Sequence, residues 1–261
     1  MPISDADANA FARAFLDAER TRTPIEAIAE TRPELTIDDA YRIQDALVAL
    51  HTIAGLTPFG IKVGSTSKAA QRRFKTTEPA IGALFLQRQI ANGAAIESAR
   101  LIAPRIECEI AVRMGVDLKG PDVTPEAAEA AIGSIMGAFE IIDARTKDWR
   151  IKAVELIADN AVNAGFVLGP ERPAGGLDAA GISVMFGREG DQPTYGTGGS
   201  VLGGPKFVIA WLANWLGARG KTLKAGTVVL TGSLSEILPA AKGQRFTAKF
   251  DPLGEVAVRF E

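Results

Sequence analysis

The chain has 261 residues and a formal net charge of −2, so it can bury a large core and carries no strong field that favours nucleic acid or an anionic membrane. It contains no run of about 20 apolar residues for a membrane span, and its single cysteine, Cys108, excludes an internal disulfide and favours the cytoplasm. The single histidine, His51, excludes zinc sites built on several histidines, and no glycine-rich nucleotide-binding motif occurs.

The first 58 residues are predicted to form a helical N-terminal portion. Their acidic, amphipathic start lacks the basic region and apolar block of a secretory signal. Ser4 is placed to cap a first helix. Thr36, with Asp39 three residues later, resembles a capping box that starts a second helix. Residues 23–35 contain two prolines and are predicted to link the two helices.

Residues 59–261 are predicted to form a sheet-rich catalytic core, so the fold class is predicted as α+β. Glycines at the ends of many strands favour a strongly bent sheet with tight turns. Helices are predicted after Ser65 or Thr66, from the pair Thr124-Pro125, and over the apolar run 205–216. The predicted strands cover residues 61–63, 101–114, 139–142, 165–168, 228–231, 245–250 and 255–260.

Three glutamates in apolar strands predict a divalent metal site. Side chains alternate between the faces of a strand, so Glu107 and Glu109 share one face, where their charges repel unless a cation lies between them. An isolated pair of this kind is more often a solvated edge, but apolar residues flank it on both sides. Glu140 lies in a second apolar strand, where a glutamate needs a partner. Carboxylate oxygens suit Mg²⁺, Mn²⁺ or Ca²⁺. Asp143 either joins this cluster or caps the strand end.

Two further positions carry polar groups in unusual surroundings. Lys62 stands between apolar residues and glycines, where it either extends to the surface or faces the carboxylates and assists proton transfer. Gly232 and Ser233 follow a strand, where a backbone N–H and a hydroxyl can bind a small anion, although a plain turn explains the same pattern.

The chain resembles the hydratase/decarboxylase branch of the fumarylacetoacetate hydrolase superfamily. The matching segments occur in family order over nearly the whole chain, and they are specific as a set. They cover residues 40–44, 62–67, 107–109, 139–141, 158–160 and 229–233.

The resemblance implies a rolled, mixed β-sheet core with a helical N-terminal part, and an active site that contains Lys62. It implies that Mg²⁺ or Mn²⁺ is bound by three glutamates. These ligands are Glu107, Glu109 and Glu140. The same matching segments assign substrate contacts to Ser65, Asn160, Gly232 and Ser233.

The implied substrates are small 2-hydroxy-2,4-dienoate or 2-oxo-3-enoate acids from the breakdown of aromatic compounds. The implied reaction is hydration through a metal-stabilised enolate, and decarboxylation through the same enolate is the alternative. The sequence departs from the family pattern at Ala80, where hydratases carry an acid, and at Val162, near which a small polar residue is usual. These departures affect groups that manage water or the distal end of the substrate.

Two other functions compete with this interpretation. An acylpyruvate-type hydrolase would need a histidine–glutamate pair to activate water, and His51, at the end of an amphipathic helix, is better explained as a surface or satisfied histidine. A non-catalytic partner subunit would not be expected to retain Lys62 and all three glutamates.

The helix over residues 205–216 carries Trp211 and Trp215, which together with the resemblance predict a homo-oligomer. Ordinary core packing is the better explanation for at least one of the two. A hetero-complex with a paralogous pathway enzyme is the other predicted assembly.

Overall fold

The computed structural model describes residues 2–261, in which helices are concentrated at the N-terminus and strands dominate the remainder. The helices are α1 (Asp5–Thr21), α2 (Ile28–Thr31), α3 (Ile37–Ile53), α4 (Lys68–Phe74), α5 (Pro125–Ala131), α6 (Ala153–Ala158) and α7 (Pro205–Gly217). The strands are β1 (Pro58–Gly64), β2 (Ala80–Phe85), β3 (Gln89–Ile90), β4 (Ala95–Ile96), β5 (Arg105–Met114), β6 (Ile132–Ile142), β7 (Asn163–Leu168), β8 (Arg172–Pro173), β9 (Ser183–Arg188), β10 (Thr194–Thr197), β11 (Val228–Ser233), β12 (Leu238–Pro239), β13 (Arg245–Asp251) and β14 (Gly254–Phe260).

The larger of two sheets is mixed and rolled. Its strands follow the order β2-β1-β11-β5-β6-β7-β3, while β12 adds to β5 and β8 adds to β6. Strands β1 and β11 run parallel, whereas β5 pairs antiparallel with both β11 and β6. Phe59 of β1 stacks on Phe166 of β7 with ring centroids 5.8 Å apart, although three strands separate β1 from β7. Only a curled sheet allows this contact, so the predicted α+β class with a rolled mixed sheet is confirmed.

The smaller sheet packs against the outer face of the roll. It has the order β10-β9-β13-β14-β4. Alternating residues of β5, such as Cys108 and Ile110, join Phe186 of β9 and Phe246 of β13 in the largest apolar cluster. The opposite face of β5 continues from the glutamates to Ala111, which packs inside the roll. Strand β5 therefore has an apolar outer face and an inner face that carries Glu107 and Glu109.

The N-terminal helices cover one end of the roll. Ser4 accepts a hydrogen bond from Asp7 N, and Thr36 forms the predicted capping box with Asp39, so both helix starts are confirmed. Phe15 and Ile43 are fully buried in a second apolar cluster that also contains residues after β6 and along α6. The division at residue 58 stays a prediction, since this cluster joins the helices to the core.

Four local predictions differ from the structure. The segment 23–35 contains the short helix α2. Ser67, not Ser65 or Thr66, caps α4, because Ser67 accepts from Ala70 N while Ser65 has a left-handed φ of 56°. Strand β5 begins at Arg105 rather than 101, because the preceding backbone amides donate to the Asp143 carboxylate. Strand β6 begins seven residues before the predicted start.

No helix within residues 2–261 combines the length and the apolar character that crossing a bilayer requires.

Candidate metal centre and active site

The pairing of β5 with β6 brings the three predicted glutamates together. Glu107 lies directly opposite Glu140 in the antiparallel register, and Glu109 follows two residues along the same face of β5. One carboxylate oxygen from each side chain lies within 4.8 Å of those of the other two. All three are buried, with exposures of 8% for Glu107, 1% for Glu109 and 0% for Glu140, so solvent does not screen their mutual repulsion.

The electrostatics of this cluster favour a cation. Burial and then the Glu140 carboxylate raise the pKa of Glu107 to about 7. Burial, Glu140 and Glu107 likewise raise the pKa of Glu109 well above its usual value. Oε1 of Glu109 is buried and has no hydrogen-bond partner among the described residues. Three carboxylates with an unused buried oxygen form a donor set that fits a hard divalent cation.

Lys62 of β1 provides a positive charge beside the glutamates. Its Nζ lies 3.0 Å from Oε2 of Glu140 and donates to the backbone oxygen of Ala161 at 3.0 Å. Burial alone lowers the pKa of this ammonium, but the three carboxylates outweigh burial and raise it above its ordinary value. When all four groups are ionised, three negative charges and one positive charge leave a formal charge of −2. A divalent cation balances that charge.

The backbone of Gly232 positions the Glu109 carboxylate. Its backbone N–H donates to Oε2 of Glu109 at 2.7 Å, so this amide is not free to bind a substrate anion as predicted. Its φ is 108°, and a Cβ there would lie 2.0 Å from Oγ1 of Thr66, so only glycine fits. The predicted substrate contact is therefore replaced by a positioning contact.

The glutamate cluster adjoins a cavity of about 140 Å³. This volume is below the roughly 300–1,000 Å³ of sites for drug-sized ligands, and it suits a small acid. Lys62, Ser65 and Glu107 form part of its polar wall. Side chains from separate segments of the chain provide the apolar wall, which includes Phe74, Ile142, Leu156, Val162 and Ile237.

Two predicted substrate-binding hydroxyls line this cavity. Ser65 is buried, and its Oγ has no hydrogen-bond partner among the described residues, so it remains available to a bound molecule. Ser233 also lines the cavity, and its hydroxyl donates to the backbone oxygen of Ser235 at 3.1 Å. The structure thus brings both serines to the cavity that Lys62 and Glu107 line.

Asn160 lies outside the cavity wall. Its Oδ1 accepts from Ala83 N at 2.7 Å and its Nδ2 donates to the Ala83 oxygen at 2.9 Å. Both polar atoms of the side chain therefore hold β2, and the residue is fully buried. The predicted substrate contact of Asn160 has no geometric support, because its amide is already engaged.

The remaining predicted residues also have defined places. Ala80 is buried in the cluster of the N-terminal helices and does not line the cavity, whereas Val162 does. Asp143 is occupied by two backbone amides near the strand end, outside the glutamate cluster. His51 is 2% exposed, so a surface position is excluded. His51 Nε2 lies 3.7 Å from a Glu19 oxygen, but this pair does not line the cavity and cannot activate water there.

Several functional neighbours were not found from the sequence. Asn163 Nδ2 donates to Oε1 of Glu140 at 2.8 Å and orients that carboxylate. Arg73 and Arg105 line the cavity together with Trp149. The sequence did contain a signal for Arg105, because it lies two residues before Glu107 on the same strand and therefore shares its face. Arg73 lies on a helix, and no pattern in its segment indicated which face meets the site.

The outer face of β5 carries Cys108 between two of the acids. Its Sγ lies 3.1 Å from Oγ of Ser235. Burial raises the pKa of this thiol to about 12. The thiol therefore stays protonated and takes no part in the inner face of the strand.

Comparisons with known proteins agree with this geometry. Residues 61–261 match the model of the fumarylacetoacetate (FAA) hydrolase C-terminal family. The chain is 38% identical to 2-hydroxyhexa-2,4-dienoate hydratase of Comamonas testosteroni, with 94% of each chain covered. It is also 38% identical to 2-oxo-hept-4-ene-1,7-dioate hydratase of Escherichia coli, covering 93% of this chain and 94% of that one. A solved 4-oxalocrotonate decarboxylase of Pseudomonas putida G7, complexed with magnesium and adipate, superposes with a TM-score of 0.96, 30% identity and 99% coverage of both chains.

Proposed function

The chain belongs to the fumarylacetoacetate hydrolase family, and on that premise we propose that it is a divalent-metal-dependent hydratase of small 2-hydroxy-2,4-dienoate or 2-oxo-3-enoate acids. The reaction is that of a carbon–oxygen lyase in the breakdown of aromatic compounds. Hydratases at 38% identity over more than nine-tenths of the chain support this function. The observation that carries it is the convergence of Glu107, Glu109, Glu140 and Lys62 beside a small cavity.

The proposed metal ligands are Glu107, Glu109 and Glu140, with Mg²⁺ or Mn²⁺ as the cation. Their buried oxygens and the uncompensated negative charge fit such an ion. When bound, the cation supplies a Lewis acid that favours the enolate form of a 2-oxo acid. A related structure at 30% identity contains magnesium, which supports the choice of ion.

The side chains of the cavity bind the substrate and transfer its proton. The ammonium of Lys62 has three N–H groups, of which one donates to Ala161 and one is directed at Glu140. The third serves the cavity, where it can donate to a substrate oxygen or move a proton at Nζ. Ser65 Oγ offers a further buried donor and acceptor. The apolar wall, which includes Val162, limits the water that can reach the site.

Decarboxylation is the second candidate, because the 4-oxalocrotonate decarboxylase structure superposes over nearly the whole chain. Both reactions need the same enolate and the same proton donor. The product distinguishes them, since hydration retains every carbon atom and decarboxylation releases CO₂.

The test is turnover of 2-hydroxypenta-2,4-dienoate with Mg²⁺, followed by loss of absorbance of the conjugated diene and by mass analysis of the product. We expect hydration that stops with a chelator and returns with Mg²⁺ or Mn²⁺. Glu109→Gln should abolish both turnover and metal binding measured by calorimetry, because it removes a ligand. Glu126→Gln, an exposed change on α5, should alter neither. Metal-independent turnover, or unchanged metal affinity in Glu109→Gln, would contradict the proposal.

The proposed assembly is a homo-oligomer, with a hetero-complex with a paralogous pathway enzyme as the alternative. Exposed apolar side chains such as Val116 (56%) and Phe207 (39%) support an interface between chains. The proposed location is the cytoplasm, which the single buried cysteine supports. The proposed partner is the small 2-oxo acid, with neither nucleic acid nor membrane involved.

A further inference from the structure

Two arginines line the same cavity as the proposed catalytic lysine. Arg105 lies two residues before Glu107 on β5, so both side chains share a strand face and their Cα atoms are roughly 7 Å apart along the strand. Arg73 reaches the cavity from the end of α4. Arg73, Arg105 and Glu107 thus line one cavity, and the positive charge of Arg73 acts on both of the other two groups.

Neither arginine has an acidic partner within residues 2–261, whereas Arg88, Arg145 and Arg150 each pair with a carboxylate. The guanidinium of Arg105 lies over the ring of Trp149, with Cζ 4.3 Å from the ring centroid. The Trp149 indole N–H donates to the Ala103 oxygen at 2.9 Å and fixes the ring beneath that arginine. The ring restrains the guanidinium and leaves its N–H groups free, since a cation held over an aromatic face keeps its in-plane donors.

The residues that line the cavity are buried at one end and exposed to solvent at the other. Lys62, Ser65 and Glu107 are less than a tenth exposed, and they form the polar end that takes the 2-oxo acid group. Arg105 is half-buried and Arg73 is exposed, so the two lie on the solvent side. The wall also contains apolar residues, namely Phe74, Ile142, Leu156, Val162 and Ile237. Such a wall suits a hydrocarbon chain with an anion at each end.

We propose that Arg73 and Arg105 bind a second carboxylate at the distal end of the substrate, so that the preferred substrate is a 2-hydroxydienedioate rather than a monocarboxylic dienoate. This inference rests on the proposed function, because it assigns the tail of that same substrate. A guanidinium binds a carboxylate through two parallel N–H donors, and two guanidinium groups that repel each other gain most from an anion between them. The arginines are specificity residues and take no part in the proton transfer.

Kinetics on the metal-loaded enzyme test the proposal. The measured quantity is the ratio of kcat/KM for 2-hydroxyhepta-2,4-dienedioate to kcat/KM for 2-hydroxypenta-2,4-dienoate. We expect the wild type to favour the dienedioate at least tenfold. Arg73→Met and Arg105→Met keep the apolar stem and remove the charge, and each should lower the ratio about 10- to 100-fold, the range of a lost charged hydrogen bond. Arg72→Met, an exposed neighbour that does not line the cavity, is the matched control.

Three kinetic results would overturn the proposal. The first is a wild type that prefers the monocarboxylate, the second is an equal loss on both substrates in the arginine variants, and the third is an equal change of the ratio in Arg72→Met. An equal loss on both substrates would mean that the arginines merely attract anions or maintain the cavity.

A binding experiment separates this proposal from the proposed function. Calorimetry with the Mg²⁺-loaded protein compares adipate with hexanoate, which have the same chain length and differ by one carboxylate. We expect adipate to bind at least tenfold more tightly and to lose that advantage in Arg73→Met and Arg105→Met. If neither dienoate is turned over, the proposed function fails, yet the adipate result still decides whether the arginines bind a distal carboxylate. Equal affinity for adipate and hexanoate in the wild type refutes it.

Discussion

Lys62 lies beside the glutamates of the proposed metal site and is also the proposed proton-transfer residue. The residue lies between Glu140 and the Ala161 oxygen, and it is 3% exposed. The neighbouring carboxylates hold it in the charged form, so it can donate to an oxygen that gains negative charge. A buried lysine with this surrounding has no simple structural purpose, because an apolar side chain would fill the same space at lower cost of desolvation.

We predict that Lys62→Met lowers kcat by about a hundredfold or more, because loss of one such donor costs roughly 3 kcal/mol of transition-state stabilisation. Metal affinity should be retained or increased, since the variant loses a positive charge beside the proposed ligands. Steady-state kinetics and calorimetry with Mn²⁺ measure the two quantities. Lys242→Met, an exposed substitution, is the control. Full turnover in Lys62→Met would show that another group moves the proton.

His51 gives the folded chain a sensitivity to acid. Burial, and then the positive charge of Arg88, lower its pKa from 6.5 to about 4, although Glu19 opposes this change. The unfolded chain therefore binds a proton near pH 6.5 that the folded chain does not take up until about pH 4. Stability is full above the unfolded pKa and falls as the pH is lowered through the interval between the two values.

The expected size of this effect is about 2 kcal/mol lost between pH 7 and pH 5. Denaturant unfolding of the wild type and His51→Gln at both pH values measures it. Because other groups titrate in the same range, the difference between the two proteins is the relevant quantity. His51→Gln should lose about 2 kcal/mol less than the wild type over this interval. Parallel losses in both proteins would show that His51 is protonated in the folded state.

The glutamate triad could be derived from the sequence because strand alternation and an acid in an apolar run are local patterns. Gly232 could not be assigned correctly, since its contact with Glu109 depends on the register of β11 against β5. The contact that engages the Asn160 amide could not be predicted for a similar reason. Its partner, Ala83, is 77 residues away, and nothing in either segment indicates that contact.

At the scale of elements, the turn between α6 and β7 positions the lysine. Three consecutive residues, Asn160, Ala161 and Val162, have left-handed φ values of 50°, 49° and 55°. This conformation is unfavourable for side chains with a Cβ, and it persists only because the surrounding strands hold it. It directs the Ala161 oxygen at Lys62 and the Asn160 backbone oxygen at Gly82 of β2.

Gly82→Ala, a substitution in strand β2, should disturb this turn because β2 packs against it. A Cβ at position 82 would lie 2.6 Å from the Asn160 oxygen and 3.1 Å from the Ala161 Cβ, too close for either backbone to stay in place. We expect a loss of stability of about 1–3 kcal/mol, as for other overpacked sites, with a fall in kcat. Gly175→Ala meets open space at an ordinary φ and is the matched control. Thermal unfolding measures stability and steady-state kinetics measure kcat. If both variants match the wild type in both quantities, the contact is disproved.

Capping motifs allowed both N-terminal helix starts to be predicted, because the residues that form each motif lie within four positions of each other. The cap of α4 was predicted one or two residues too early, at Ser65 or Thr66 instead of Ser67. Three hydroxyl residues stand in succession at 65–67, and only the backbone angle at Ser65 selects Ser67 as the cap. The early part of β6 was missed because it contains glycine and serine, which carry little strand propensity.

At the scale of the whole molecule, the N-terminal helices and the rolled sheet share an interface that is also close to α7. Tyr41 of α3 packs against Trp215 of α7 with ring centroids 5.0 Å apart. Trp215 is 8% exposed and belongs to the main core, so it serves ordinary packing, as expected for at least one tryptophan of this helix. Trp211 is only partly buried and remains available to a second chain.

We predict that light scattering at micromolar concentration gives a mass of at least twice the chain mass. The reason is the apolar surface left exposed on the single chain, which includes Val116 and Phe207. A homo-oligomer should form without any other protein, whereas a hetero-complex would require the paralogous chain to be added. A monomeric mass for the metal-loaded protein would refute the homo-oligomer.

The position of Cys108 makes its thiol a probe of the opening of the sheet. The thiol is protonated, shielded from reagents and placed on the strand that carries two of the three glutamates. Alkylating reagents and peroxides attack thiolates, so the native protein should resist both, and a maleimide should react only when β5 leaves the sheet. The chain has no second cysteine to compete for the label. The rate of modification therefore reports one event, the separation of β5 from its neighbouring strands.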